Sequence, residues 1–297
     1  MPTKKNKVDF FLVGLPKTGT TSIYKSLVKH KKIYIPHIKE PNYFCFDKHF
    51  SSYFNYKKKI EYLKLFNKGF SENLICGDLS TEYFDSKVAP KEIYNHNKNA
   101  KIIIILRDHF DFICSYLKEL RKSYNIEIDV TNIFKSNKDK SKILEELNYR
   151  SQVYNFDISD KLNYSKKMDK FHHYFKNTIL LINYKELNDN YEKVIIKILN
   201  FLDLDSDHYI LRKEYTNQST ENYNSLIYNF YHYLKKIKIS QFSPVFLNRY
   251  IGNLLLLIAS NTGKKYNYKK NKNFKNFILN ITYQDKKNIK EKYGIDL

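Results

Sequence analysis

The sequence predicts an α/β protein in which a central parallel sheet lies between two layers of helices, a three-layer sandwich. Short apolar runs alternate along the chain with segments of helical spacing, which is typical of βαβ units. One run, Ile102–Leu106, is apolar throughout, as expected of a central parallel strand buried on both faces. Polar segments at residues 14–22, 78–80 and 107–115 each follow a predicted strand. We expect them to meet, because the carboxyl ends of parallel strands share one edge of a sheet.

The first half of the chain alternates predicted strands with predicted helices. Pro90 suits the first turn of a helix, where its missing N–H is no loss. The predicted strands are Val8–Val13, a short strand within Lys31–Phe46, Asn73–Asp78 and Ile102–Leu106. The predicted helices are a segment ending near His30, Ser51–Phe66, Pro90–His96 and Phe110–Lys122.

The second half supplies one more predicted strand and is otherwise mostly helical. We expect a single domain over residues 1–297, with a core at about 8–205 and a C-terminal helical part at about 206–297. The predicted strand is Thr178–Ile182, and the predicted helical segments are Leu144–Lys176, Tyr191–Leu202, Tyr223–Leu257 and Ile278–Tyr293. The predicted irregular segments are Asn125–Lys142, Tyr209–Asn222 and Lys264–Lys275.

The most informative segment is residues 14–22, GLPKTGTTS, which joins the first predicted strand to the first predicted helix. Glycine lets a backbone bend sharply and approach an anion closely. The first N–H groups of a helix have no partner within the helix, and the helix dipole favours negative charge there. The segment is therefore predicted to bind a phosphate group.

The loop differs in one respect from the P-loop of ATP and GTP enzymes, G-x-x-x-x-G-K-[ST]. Gly14 and Gly19 have the required separation, but Thr20 stands where the P-loop has lysine. The lysine lies inside the loop instead, at Lys17. Such a loop suits a ligand with one phosphate at this point and no γ-phosphate, without an evident need for magnesium.

Composition limits the class of partner. The chain has 52 basic and 31 acidic residues, a net charge of +21, so it attracts polyanions. The expected partners of this kind are an acidic glycan, a phosphorylated lipid carrier and an anionic membrane surface. Basic charge alone would also allow nucleic acid, but no nucleic-acid module is recognisable and we expect none. The three cysteines, Cys45, Cys76 and Cys114, are too widely spaced to predict a metal site or a disulfide framework.

The terminal segments predict that the protein is cytoplasmic. Localisation at the inner membrane surface is the alternative. The segment Met1–Lys7 is polar, and the strand after it is too short for the core of a signal peptide. The apolar run Leu254–Ala259 falls far below the roughly 20 residues that a spanning helix needs.

Residues 16–22, PKTGTTS, resemble the 5′-phosphosulfate loop of sulfotransferases, which use 3′-phosphoadenosine 5′-phosphosulfate (PAPS). The resemblance extends from about Val8 to the end of the chain, and it implies a P-loop-containing nucleotide hydrolase-like fold. Four further segments fit it in order: KEPNYF at 39–44, GDLSTEYF at 77–84, KIIIILRD at 101–108 with Ser115, and the strand and helix within Phe171–Asp205.

The resemblance is to the bacterial and glycan-type members of this family, and three residues depart from their pattern. His109 stands where the family usually has proline after R-D, and Thr81 replaces the proline of S-P. Asp203 replaces the glycine of F-L-G-L. None of these changes removes a phosphate ligand, but each bears on the local loop geometry.

The resemblance assigns the donor-binding residues. Lys17 is expected to bind the 5′-phosphate and to stabilise the oxygen that gains charge as sulfur departs. Arg107 has a planar fork that matches a phosphate, so it is expected to bind the 3′-phosphate together with Ser115. The alternative for Arg107 is a structural ion pair with Asp108 or Asp78. The expected donor-binding residues are Pro16, Lys17, Thr18, Gly19, Thr20, Thr21, Ser22, Arg107 and Ser115.

Glu40 is the expected general base, because a carboxylate can take the acceptor proton and glycan-type members have a catalytic Glu here. The structural alternative is a surface pair with Lys39, and His37 and His109 are rival bases. We predict transfer of a sulfuryl group from PAPS to a hydroxyl of a carbohydrate or glycolipid, with PAP as product and no metal. The alternatives are a small-molecule P-loop kinase and a non-enzymatic basic protein that binds polyanions or membranes.

Overall fold

A sheet of five parallel strands forms the centre of the protein in the computed structural model. The structure describes residues 6–47, 58–124, 130–133, 158–205, 222–223, 258, 264–265 and 267–297. The strand order is β2–β3–β1–β4–β5. The strands are β1 (Phe10–Gly14), β2 (Ile33–Tyr34), β3 (Ile75–Leu79), β4 (Lys101–Leu106) and β5 (Ile179–Asn183).

Helices connect the strands and cover the sheet, so the predicted α/β sandwich is confirmed. The helices of the described ranges are α1 (Thr20–Leu27), α2 (Lys59–Lys64), α3 (Asn67–Ser71), α4 (Ala89–His96), α5 (His109–Tyr124), α6 (Val130–Ile133), α7 (Ile158–Leu162), α8 (Tyr164–Phe175), α9 (Tyr184–Asp189), α10 (Tyr191–Phe201) and α11 (Lys272–Tyr293). Short 3₁₀ helices occupy Thr81–Phe84 and Tyr268–Lys270. A two-stranded antiparallel pair joins β6 (Asn222–Tyr223) to β7 (Lys264–Lys265).

Strand β1 lies in the middle of the sheet and is buried on both faces. It pairs with β3 on one side and with β4 on the other, with Phe11 opposite Asp78 and Ile102. Successive side chains of a strand point to opposite faces. Leu12 accordingly joins the apolar cluster formed with α1 and α10, whereas Phe11 packs edge-on against Phe44 at a centroid distance of 5.7 Å.

The chain divides into two compact units by its contacts. One unit consists of Met1–Phe112, Ser159–Thr216 and Thr282–Leu297, and it contains the whole five-stranded sheet. The other consists of Ile113–Ile158 and Asn217–Ile281. The expected single domain with a core and a C-terminal helical part stays a prediction.

A buried ion cluster ties helices α7 and α8 to the turn after β3. The carboxylate of Asp85 accepts from the ammonium groups of Lys161 and Lys167, the latter at 2.5 Å. Asp85 and Lys167 are both almost completely buried, so each charge depends on the other for its stability. Removing one partner alone would leave an uncompensated charge in the interior.

Of the three departures from the pattern of the resembled family, Asp203 has a local explanation. Asp203 adopts a left-handed conformation, with φ of 58°, just after α10, which is the conformation that glycine provides most easily. Asp tolerates that region better than most residues, and its carboxylate pairs with Lys101 at 2.5 Å. His109 is the first residue of α5, and Thr81 is the first residue of a 3₁₀ helix.

The strands and the helices after them lie close to their predicted positions, but three predictions about irregular or helical segments were wrong. The predicted loop Asn125–Lys142 contains helix α6. Tyr223 pairs with Lys264 in a β-ladder instead of beginning a helix. The predicted loop Lys264–Lys275 contains β7, a 3₁₀ turn and the start of α11.

Parts of several predictions lie outside the described residues. They are the first part of Ser51–Phe66, most of Asn125–Lys142, the start of Leu144–Lys176, nearly all of Tyr209–Asn222 and most of Tyr223–Leu257. Helices α3 and α9 were not predicted, because five or six residues are too few to display a helical period.

Candidate active site

The loop between β1 and α1 turns sharply at three residues. Gly14 has φ of 127°, and a Cβ there would lie 2.7 Å from the Ile105 carbonyl oxygen, so only glycine fits beside β4. Gly19 is the N-cap of α1 with φ of 78°. Lys17 has φ of 64°, which is uncommon for a residue with a side chain. This strain is consistent with a loop shaped to bring its backbone around a ligand.

The hydroxyl groups of the loop have different partners. Thr18 is buried, and its hydroxyl donates to the Leu15 carbonyl at 2.6 Å, so it holds the loop together. The N–H of Ser22 donates to the Gly19 carbonyl at 3.0 Å. The hydroxyls of Thr20 and Thr21 both accept from the Lys39 ammonium, at 3.2 Å and 2.9 Å. Because each hydroxyl accepts there, its own hydrogen can point to a ligand.

Arg107 braces this loop from the end of β4. Its Nη1 donates to the Lys17 carbonyl at 2.8 Å, and its guanidinium lies 4.5 Å from the centroid of the Tyr184 ring. The buried Nε makes no hydrogen bond within the part of the chain that the structure describes. The ion pair with Asp108 or Asp78 that was the structural alternative is not formed, since those carboxylates have other partners. Arg107 therefore retains a donor that an anion could satisfy.

The turn after Arg107 is held by the C-terminal helix. Asp108 caps α5 by accepting from the Asp111 N–H at 2.9 Å, and Lys286 of α11 donates to it at 2.5 Å. Burial alone would raise the pKa of Asp108, but the bonds from Lys286 and the Asp111 N–H outweigh it and lower the pKa. Asp108 thus stays charged and bonded to Lys286 at the start of α5.

His109, one of the two rival bases, has a structural role. Its ring is completely buried, its Nε2 lies 2.8 Å from Asp285 Oδ2, and it stacks on Tyr164 at a centroid distance of 4.0 Å. Asp285 also accepts from the N–H and hydroxyl of Ser165. A ring enclosed in this way cannot reach an acceptor hydroxyl, which argues against His109 as the base. The other rival, His37, is exposed.

Ser115 lies on α5 and is half-buried. It belongs to a different compact unit from Arg107. A shared contact of these two residues with one phosphate therefore stays a prediction from the resemblance.

Glu40 lies near the loop between β1 and α1. Its Oε1 is 3.3 Å from the Lys39 ammonium, which in turn contacts Thr20 and Thr21 of the loop. Its Oε2 accepts from the Thr81 hydroxyl at 3.2 Å. Glu40 is itself in the left-handed region, with φ of 61°. The pair with Lys39 forms, but Lys39 also contacts the loop and Glu40 also contacts Thr81, so it is more than an isolated surface pair.

Asp78 is the second carboxylate of this region and is completely buried at the end of β3. Its oxygens accept from the hydroxyls of Tyr62 and Tyr83 at 2.8 Å each and from Ser80 at 2.7 Å. Burial raises the pKa of Asp78 to about 6, although these three donors lower it and the charge of Glu40 adds to the increase. The two carboxylates thus occupy different environments: one is enclosed by donors, the other half-exposed beside the loop.

Several side chains that contact the predicted site residues were not predicted from the sequence. Tyr184, Tyr62, Tyr83 and Asp285 were not assigned to the site. Tyr184 directly follows β5, and this position at the carboxyl end of a strand is the signal that could have found it. Nothing in the sequence pairs Asp285 with His109, which lies 176 positions away.

The described ranges contain neither a metal-binding cluster nor a membrane-spanning helix. Residues that could together hold a metal ion do not occur in groups of three or more there. Within the same ranges, no helix is both long enough and apolar enough to cross a membrane.

One family model matches most of the chain. The family model for the sulfotransferase domain matches residues 7–251. No curated protein sequence matches the chain at a significant level. A sulfotransferase from Alicyclobacillus acidocaldarius has a TM-score of 0.58 at 19% identity, covering 77% of this chain and 91% of that one. Mouse sulfotransferase SULT7A1 complexed with PAP has a TM-score of 0.43 at 20% identity, covering 69% of this chain and 60% of that one. The first likeness shows the fold.

We predict that Asp78 makes stability depend on pH. The pKa of Asp78 is about 6 in the folded state and 3.8 for an exposed Asp carboxyl, so below pH 3.8 the group is protonated in both the folded and the unfolded state. As the pH rises to about 6, the folded state holds its proton longer and loses stability relative to an Asp78→Asn variant. The full loss is about 3 kcal/mol. Urea unfolding of both proteins between about pH 4 and about pH 8 measures it. A difference that stays constant with pH would contradict the assignment.

Proposed function

The chain belongs to the sulfotransferase domain family, and we propose on that basis that it transfers a sulfuryl group from PAPS to an acceptor hydroxyl. The proposal is supported above all by the loop between β1 and α1, which Arg107 reaches from the end of β4 by donating to the Lys17 carbonyl. A loop with a strained backbone, a helix N-terminus and two cationic side chains around it suits the phosphate groups of this donor. PAP would be the product.

The donor's 5′-phosphate would bind the loop itself. We assign it to residues 16–22, with the ammonium of Lys17 and the hydroxyls of Thr20 and Thr21 as contacts. Lys39 supports this assignment because it occupies the lone pairs of both hydroxyls and leaves their hydrogens available. No metal is required, since fixed cations can balance the charge that develops on the leaving phosphate.

The donor's 3′-phosphate would bind Arg107. The unsatisfied Nε supports this, because a buried guanidinium donor is costly until an acceptor reaches it. Ser115 is assigned to the same phosphate from the resemblance alone. This second phosphate is what would distinguish the donor from an ordinary adenine nucleotide.

Transfer would proceed by in-line displacement at sulfur. The acceptor oxygen forms a bond to sulfur while the bond from sulfur to the 5′-phosphate oxygen breaks, and PAP leaves with that electron pair. Glu40 takes the proton of the acceptor hydroxyl, and Lys17 stabilises the charge on the leaving oxygen. His37 is the remaining alternative base.

The acceptor class is proposed from charge. A net charge of +21 favours an anionic second partner, and a carbohydrate or a lipid-linked glycan offers both hydroxyls and negative groups. We place the reaction in the cytoplasm, with peripheral contact to the inner membrane surface where the acceptor is lipid-linked. Nucleic acid is not part of the proposal.

We predict that Lys17→Ala lowers kcat by about 100-fold, because the leaving oxygen loses a fixed charge in the transition state. The assay measures PAP formed from PAPS with a mixture of methyl glycosides as hydroxyl acceptors and water as background. Lys193→Ala is the matched control, since it removes the same charge from an exposed position on α10. Turnover of Lys17→Ala equal to that of the control would contradict the role of Lys17.

We predict that Glu40→Gln keeps PAP affinity and loses transfer by about 100-fold or more, because the amide cannot accept the acceptor proton. The same assay gives kcat, and calorimetric titration gives the affinity for PAP. Glu192→Gln, an equal charge change at an exposed position of α10, should behave as wild type in both. If Glu40→Gln turns over normally, His37 becomes the leading base.

A further inference from the structure

Thr81 touches the carboxylate that we propose as the base. It is the first residue of the 3₁₀ helix after β3 and is buried, and its hydroxyl donates to Glu40 Oε2 at 3.2 Å. We propose that Thr81 is a positioning residue that orients the Glu40 carboxylate for proton transfer. This inference rests on the proposed function, because it matters only if Glu40 acts as the base.

The carboxylate of Glu40 is held at both oxygens. Lys39 lies at Oε1 and Thr81 at Oε2, at 3.3 Å and 3.2 Å. An ionised carboxylate offers about four lone-pair sites, so two contacts leave room for an acceptor hydroxyl. Two contacts also fix the plane of the group, which a single contact would leave free to rotate. The direction of the remaining lone pairs is thereby defined before an acceptor arrives.

The two side chains that contact the Glu40 carboxylate differ in flexibility. Lys39 has a long, flexible side chain, whereas the branched Cβ of Thr81 restricts its χ1 and keeps the hydroxyl in place. Thr81 also lies two residues after the end of β3, and Ser80 between them is bonded to Asp78 of that strand, so the sheet supports its backbone. We therefore assign the orientation of Glu40 to Thr81 more than to Lys39.

The residue before Thr81 anchors the backbone of the same segment. The hydroxyl of Ser80 accepts from the Asn42 N–H at 3.1 Å and donates to the buried Asp78 at 2.7 Å. Glu40 and Asn42 both have positive φ, at 61° and 53°, so their loop needs support from its surroundings. Ser80 thus fixes the loop on which Glu40 lies, and Thr81 fixes its side chain.

Loss of the Thr81 hydroxyl is expected to slow the transfer step without weakening donor binding. A catalytic group that leaves its productive position by about 1 Å can cost a large factor in rate. Within the described ranges, the Thr81 hydroxyl bonds to Glu40 and not to residues 14–22, so losing it should leave the affinity for PAP unchanged. A split between kcat and donor affinity is the expected signature.

The test compares Thr81→Val, which keeps the shape and removes the hydroxyl, with Thr81→Ser, which restores it. We expect Thr81→Val to lower kcat about 10-fold with the KM for PAPS unchanged, and Thr81→Ser to recover most of the loss. The assay is PAP formation from PAPS with the methyl glycoside mixture and water. A Thr81→Val variant with wild-type kcat, or a Thr81→Ser variant as slow as Thr81→Val, would overturn the proposal.

A double variant separates positioning from a general structural effect. If Thr81 acts through Glu40, adding Thr81→Val to Glu40→Gln should cause no further loss of kcat. An equal loss in both backgrounds would contradict the inference while leaving the sulfotransferase function intact. Failure of the wild-type protein to bind PAP and to consume PAPS would reject the proposed donor, and the role of Thr81 with it.

Discussion

The hydrogen bond from Arg107 to the Lys17 carbonyl connects the two strand ends on which the candidate site depends. It joins the turn after β4 to the loop after β1, and it reaches the loop at the residue with the strained backbone. A positive φ at a lysine persists only where the surroundings maintain it, and this bond is part of that support. The guanidinium itself is held by the Tyr184 ring and by a turn that α11 secures through Lys286 and Asp108. The C-terminal helix thus contributes to the geometry of a loop almost 270 residues earlier in the chain.

Two carboxylates near this edge of the sheet have different environments, and these suggest different roles. Asp78 is enclosed by three hydroxyl donors and is part of the interior, where burial raises its pKa to about 6. Glu40 is half-exposed and contacts Lys39 and Thr81. A group that must meet an acceptor needs access, which Glu40 has and Asp78 lacks. The buried carboxylate is better placed to fix Ser80 and, through it, the loop that carries Glu40.

Local signals predicted much of the fold, and longer-range contacts account for what they missed. The run Ile102–Leu106 was predicted as a central strand because a parallel strand buried on both faces is apolar at every position. Glycine spacing predicted the sharp turn between β1 and α1, and in the structure Gly14 fits against Ile105 only without a Cβ. The start of α11 was missed because its lysines and asparagines suggested a loop, although Phe274, Phe277 and Ile278 are buried at helical spacing. The partners of Arg107, His109 and Glu40 come from distant parts of the chain, and one sequence contains no local sign of such pairings.

The central claim is that the loop and Arg107 bind a nucleotide with a 3′-phosphate without metal. Thermal unfolding with PAP, and separately with ATP and magnesium, tests it most directly. A ligand at 100 times its dissociation constant adds about 2.7 kcal/mol of stability, which raises Tm by several degrees. The account predicts that PAP raises Tm without metal and that Arg107→Ala abolishes the increase. Stabilisation only by ATP with magnesium would contradict it and favour a kinase.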